Sequence, residues 1–181
     1  WRGGPIASGF KHIEVLPTLT QKAVDFIESQ VKQAPEKPFF LYFPLPAPHT
    51  PVLPTEQFQG KSEAGRYGDF VMQVDDTVGQ IMATVEQLNI STDTLIIVTS
   101  DNGPERYMLA RKEEYNHASN HHFRGMKRDA WDGGHRIPFI ASWPANIRPG
   151  SQSQETICLT DLMAPAAEIV GLSLPEDAGE D

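Results

Sequence analysis

Three short segments of this 181-residue chain set chemically competent side chains at the edges of strand-like apolar runs. The first is Pro48-His49-Thr50-Pro51. Prolines on either side stiffen the loop and limit the entropy lost in fixing the imidazole on a ligand, although a loop histidine can also do no more than hydrogen-bond its own backbone. The second is Asp101-Asn102-Gly103, one carboxylate and one amide oxygen side by side with a glycine that permits a sharp turn. Those are hard oxygen donors suited to Ca²⁺ or Mg²⁺, and an Asx turn that needs no metal is the competing reading. The third is Lys127, inside a glycine-punctuated stretch from Arg124 to Pro138. A compact ammonium there can neutralise a sulfuryl or phosphoryl oxygen; a merely solvated basic face is the plainer alternative.

Ligands of open parallel sheets sit beyond the carboxyl ends of the strands, so the elements before these residues decide what they can do. Phe39-Phe40-Leu41-Tyr42-Phe43 is an unbroken apolar run that reads as a doubly buried strand delivering His49. Thr94 to Thr99 reads as a second buried strand running directly into Asp101, and Ile137 to Trp143 as a third. Between the first two, Phe70, Val71, Val74, Val78, Ile81, Met82, Val85 and Leu88 keep a 3.6-residue period, which predicts a long helix. A capping box at Thr18-Leu19-Thr20-Gln21 predicts another helix over about 18–33, and Asp161 to Gly171 a short one. Strand, helix, strand implies a parallel crossover, so the expected fold class is α/β with a mostly parallel sheet flanked by helices. Pro104 to Asp132 is polar, lacks a clear period and is too long for a mere connector, which marks it as a functional loop.

Composition narrows the function classes. Fifteen basic against 24 acidic residues leave a formal charge of −9, which argues against nucleic acid as a partner. An anionic substrate must instead be held by a few placed cations. No run of about 18 apolar residues exists, which excludes a membrane-spanning helix. Cys158 is the one cysteine, so no disulfide can close within the chain; it reads as a small buried hydrophobe. His117 and His121 are four apart, but no glutamate follows His117, so a polar loop around His121 and His122 is favoured over a zinc helix. The triplet Asn89-Ile90-Ser91 reads as a turn.

Taken together, these segments resemble the sulfatase family of the alkaline-phosphatase-like superfamily. The resemblance rests on Phe39 to Phe43 leading to Pro48-His49-Thr50-Pro51, on Val98-Thr99-Ser100-Asp101-Asn102-Gly103, and on Arg124-Gly125-Met126-Lys127 followed by Trp131-Asp132-Gly133-Gly134-His135-Arg136-Ile137-Pro138. It extends over nearly the whole chain, through Gly3-Gly4-Pro5-Ile6, Leu16 to Thr20 and Thr160-Asp161-Leu162-Met163. It implies hydrolysis of a sulfate ester on a sulfated small molecule or sulfated glycan, assisted by Ca²⁺ in preference to Mg²⁺. Asp101 and Asn102 would be metal ligands, Lys127 would hold a sulfate oxygen, and His49 would bind the bridging or leaving oxygen and protonate the departing alcohol. A periplasmic or secreted setting is implied by the family alone.

The family's formylglycine nucleophile arises in a Cys/Ser-x-Pro/Ala-x-Arg motif, and Cys158 has Thr160 and Leu162 where proline and arginine would be needed. The family's paired N-terminal aspartates are also unmatched, since Asp75-Asp76 falls within the predicted long helix. With neither an initiator Met nor a signal-peptide pattern at Trp1, residues 1–181 read as part of one catalytic domain whose nucleophile lies outside the chain. One Asp and one Asn cannot fill a Ca²⁺ shell of six to eight oxygens, so the metal site is expected to be incomplete here. The alternatives are a phosphoesterase or phosphonate hydrolase of the same superfamily, or a non-catalytic module that binds sulfated glycans.

Overall fold

The computed structural model describes residues 4–175, 177 and 178. The chain divides into two compact units, Trp1–Ile147 and Arg148–Asp181. In the first, a 3-10 turn at His12–Glu14 runs straight into helix α1, Val15–Gln33. That turn starts the helix three residues before the predicted boundary, so Thr18 lies inside α1 and does not cap it. Leu16, Thr20, Ala23 and Ile27 recur at helical spacing and are buried. They face helix α2, Gly65–Gln87, which buries Phe70, Gln73, Thr77 and Thr84 among others. The interface is partly polar, with the Thr20 and Thr77 hydroxyls meeting at 3.0 Å.

Strand β1, Ile96–Thr99, pairs with strand β2, Phe139–Ser142, in antiparallel register from Ile96 opposite Ser142 to Thr99 opposite Phe139. The sheet among the described residues is this two-stranded antiparallel pair, and the mostly parallel sheet expected from the sequence is not seen among them. The 39–43 run is extended but enters no strand pairing there. Its exposure alternates, with Phe39 edge-on to Phe26 of α1 while Phe40 is 82% and Tyr42 77% exposed. An apolar run reports that side chains can be buried; it carries no information on the direction or identity of a ladder partner.

Two short helices lie in the polar stretch between the strands, α3 at Met108–Tyr115 and α4 at Asp132–His135. Helix α3 ends on Asn116 at φ 53°, a left-handed position that asparagine tolerates. Its Arg111 guanidinium lies 3.8 Å over the Tyr67 ring, tying the excursion to the start of α2. In the second unit, a 3-10 turn at Leu159–Leu162 leads into α5, Met163–Ile169. Cys158 is exposed and forms the N-cap of that turn, which corrects its reading as a buried hydrophobe. No helix among the described residues is long and apolar enough to cross a membrane.

Candidate active site

Strand β1 ends at Thr99, and the chain then turns through Ser100 to Gly103. The Ser100 hydroxyl donates to the Asn102 carbonyl at 3.1 Å, and the Asn102 Nδ2 donates to the Gly103 carbonyl at 2.8 Å. With its amide nitrogen committed to the backbone, Asn102 has Oδ1 left for a ligand. Asp101 is exposed, and no hydrogen bond or ion pair engages its carboxylate among the described residues. These two oxygens fit a hard cation in type and fall short of one in number, since the described residues hold no cluster of three or more His, Cys, Asp or Glu able to bind a metal ion.

The turn is interlocked with the loop that carries Lys127. Gly103 N–H donates to the Gly134 carbonyl at 2.8 Å, and Lys127 N–H donates to the Pro104 carbonyl at 2.7 Å. The approach is close enough that a Cβ on Gly103 would lie 2.0 Å from the Gly133 carbonyl oxygen. Arg128 then reaches back to Glu105 in an ion pair of 2.9 Å. The Glu105 carboxyl is held below its ordinary value mainly by a hydrogen bond from the Arg106 N–H, with burial opposing and the Arg128 charge assisting. Chain segments 101–105 and 124–134 are thus joined backbone to backbone, with Asp101 and Asn102 carried on one and Lys127 on the other.

The Lys127 loop is further fixed from within. Gly125 sits at φ +83°, a conformation side chains resist, and a Cβ there would meet the Trp131 Cβ at 2.8 Å. The Arg124 guanidinium stacks 3.7 Å over the Trp131 ring. Met126 N–H donates to the Asp129 carboxylate at 3.0 Å, and Asp129 N–H returns a bond to the Met126 carbonyl at 2.9 Å. Lys127 itself is half-buried.

His49 is placed separately. Its exposed ring donates from Nδ1 to the Thr50 carbonyl at 2.8 Å, which leaves Nε2 for a ligand. The chain returning from it is anchored on α2: Thr55 N–H donates to the Gln73 side-chain oxygen at 2.9 Å, and Pro54 is fully buried. Farther on, the Asp69 carboxylate accepts N–H bonds from Gly60, Lys61 and Ser62. Burial pushes the Asp69 carboxyl up, but those three donors and the nearby Arg66 charge outweigh it and hold the group below its ordinary range. No hydrogen bond or ion pair joins His49 to the Asp101 and Lys127 loops among the described residues.

Sequence reasoning singled out Lys127 and the glycines around it but missed the backbone contacts that tie the loop down, Lys127 to Pro104, Gly103 to Gly134 and Gly133 to Arg124. The available signal was glycine density, at Gly103, Gly125, Gly133 and Gly134, in segments that also carry the charged groups.

The Sulfatase family model matches residues 11–172. The chain is 38% identical over 185 aligned residues to an N-acetylgalactosamine-6-O-sulfatase of Bacteroides thetaiotaomicron, covering 100% of this chain and 35% of that protein. It is 40% identical over 158 residues to an N-acetylgalactosamine-6-sulfatase of Mus musculus, covering 87% of this chain and 29% of that protein. Its structure superposes with a TM-score of 0.83 on a B. thetaiotaomicron protein solved in work on the metabolism of multiple glycosaminoglycans, at 36% identity over 95% of this chain and 36% of the other. The chain spans about a third of the length of these relatives. A family match across so much of the chain, containing all three segments singled out for their chemistry, places it in the sulfatase family.

Proposed function

We propose that the protein to which this chain belongs hydrolyses sulfate esters of a sulfated glycan, and that this chain supplies the metal-side and lysine-side half of its active site. The observation that carries the reading is the backbone knitting of the Asp101-Asn102 turn to the Lys127 loop, through Gly103 to Gly134 and Lys127 to Pro104. It joins the backbone that carries two hard oxygen donors to the backbone that carries one ammonium, which supports their acting on one tetrahedral anionic ester group. The glycan substrate is supported by relatives named for N-acetylgalactosamine 6-sulfate.

In this reading Asp101 and Asn102 supply two ligands of a Ca²⁺ ion, and other residues of the protein complete its shell. Once bound there, such a cation would polarise the sulfate and offset charge on its oxygens. Lys127 binds a sulfate oxygen, and its tethered backbone reduces the reorganisation needed at the moment of reaction. His49 offers Nε2 to the ester oxygen and, when protonated, donates that proton to the departing alcohol as the S–O bond breaks. The nucleophile is assigned to a part of the catalytic domain outside these 181 residues: Cys158 lacks the proline and arginine of the formylglycine motif, and Ser62-Glu63-Ala64-Gly65-Arg66, which matches it in residue types, leads into α2 with the Ser62 Oγ accepting the Ala64 N–H at 3.0 Å.

The test uses the full-length protein with N-acetylgalactosamine 6-sulfate and, in parallel, the corresponding 6-phosphate. Release of sulfate that stops on chelation and returns with added Ca²⁺, with the phosphate ester turned over far more slowly, is the expected result. Preferential hydrolysis of the phosphate ester would make the protein a phosphoesterase, and binding of the sulfated sugar without turnover would make it a glycan-binding module.

A further inference from the structure

We propose that Asn120 is a positioning residue for Lys127, acting through the curl of backbone that precedes it; the inference rests on the reading of Lys127 as the group that holds sulfate. The half-buried Asn120 Nδ2 donates to two carbonyls, that of Phe123 at 2.7 Å and that of Gly125 at 3.0 Å. Both partners are acceptors, so only the nitrogen of the amide can face them and the orientation of the side chain is settled by chemistry. The carbonyl between them, that of Arg124, is bonded separately by the Gly133 N–H at 2.8 Å. Three consecutive carbonyls are therefore held, the outer two by one side chain. Their fixation accompanies the left-handed φ of Gly125 and sets the direction in which Met126 and Lys127 leave the turn.

The rest of the loop does not substitute for this contact. Asp129 ties Met126, and Pro104 ties Lys127, but neither reaches Phe123 or Gly125. Without Asn120, water can bond the two carbonyls, so little stability is at stake, while the approach to Lys127 gains freedom. An aspartate is the same shape but cannot donate while ionised, and it would set negative charge against both carbonyls.

The experiment is a double-mutant cycle in the full-length protein, reading kcat/KM for sulfate release and melting temperature. Asn120→Ala is expected to lower kcat/KM by about 10- to 100-fold, as displacement of a positioned group by about an ångström does, with the melting temperature within a few degrees of wild type. In a Lys127→Ala background the same change is expected to cost less than about 2-fold, because the group it positions is gone. Asn120→Asp should behave as Asn120→Ala, and it replaces that variant in the cycle should the alanine protein fail to fold. An equal loss in both backgrounds overturns the proposal, as does unaltered activity of Asn120→Ala or a failure of both variants to fold. A Lys127→Ala enzyme as active as wild type would remove the reading of Lys127 itself, and the role of Asn120 with it.

Discussion

Replacing Gly103 by alanine tests whether the 101–103 turn and the Lys127 loop are joined as described. A Cβ at that position would lie 2.9 Å from the Gly133 carbonyl carbon and 2.0 Å from its oxygen, the latter more than an ångström inside ordinary contact. The obstacle is backbone, so no side-chain rotation relieves it. Gly103 is not in the left-handed region, and its substitution therefore acts through space alone and not through backbone strain. The two loops must part, which removes the 2.8 Å bond from Gly103 to Gly134 at a cost of about 0.5–1.5 kcal/mol, overlapping the lower part of the 1–3 kcal/mol typical of overpacking. A shift of about an ångström between the Asp101-Asn102 pair and Lys127 should cost activity far more, about 100-fold in kcat/KM. The assay is sulfate release by the full-length protein alongside its thermal melt. Activity within about 3-fold of wild type, with an unaltered melt, would refute the interlocking of the loops.

Gly79 supplies the contrast: it lies in α2 with nothing within 4 Å of a built Cβ, so Gly79→Ala should stabilise by about 0.4–1 kcal/mol and leave turnover unchanged, as a denaturant melt and a rate assay would show. Ile27, 1% exposed against α2, should cost about 2–5 kcal/mol as Ile27→Ala, read as a lower unfolding midpoint. The lowered Asp69 carboxyl contributes stability in full above its ordinary value of 3.8, and that contribution is lost as pH falls through its folded-state value. The melting-temperature gap between wild type and Asp69→Asn should accordingly be widest near neutrality and narrow below pH 3.8; a gap independent of pH would exclude ionised Asp69 as the organiser of the 60–62 turn.

What could be read beforehand was governed by how local each signal is. The period of Phe70 to Leu88 located α2, observed at Gly65–Gln87, because an amphipathic stripe is written in one stretch of chain. Helix α3 was illegible because Met-Leu-Ala-Arg-Lys-Glu-Glu-Tyr is charged nearly all round and buries only Met108, leaving no stripe to detect. The 94–99 and 137–143 runs were recognisable as strands, but their antiparallel pairing is a relation between residues 40 to 46 positions apart. For the same reason Asp101, Asn102, His49 and Lys127 could be nominated from residue type and flanking motif, whereas the Gly103 to Gly134 contact and the Asn120 bridge depend on tertiary approach. Cys158 was misread because an apolar side chain says nothing of its service as a cap, which depends on the carboxylate of Asp161 three residues on, bonded to the Cys158 N–H at 2.7 Å.

Two oxygen ligands and an ammonium addressing the same sulfate form the arrangement proposed for this chain. A crystal structure of the full-length protein with Ca²⁺ and a non-hydrolysable sulfated sugar measures it directly. The expected result is an anomalous calcium peak in contact with the Asp101 carboxylate and the Asn102 Oδ1, and the Lys127 Nζ within about 3 Å of an oxygen of the sulfate. A metal bound without Asp101 and Asn102, or a sulfate seated with the Lys127 side chain turned away from it, would contradict it.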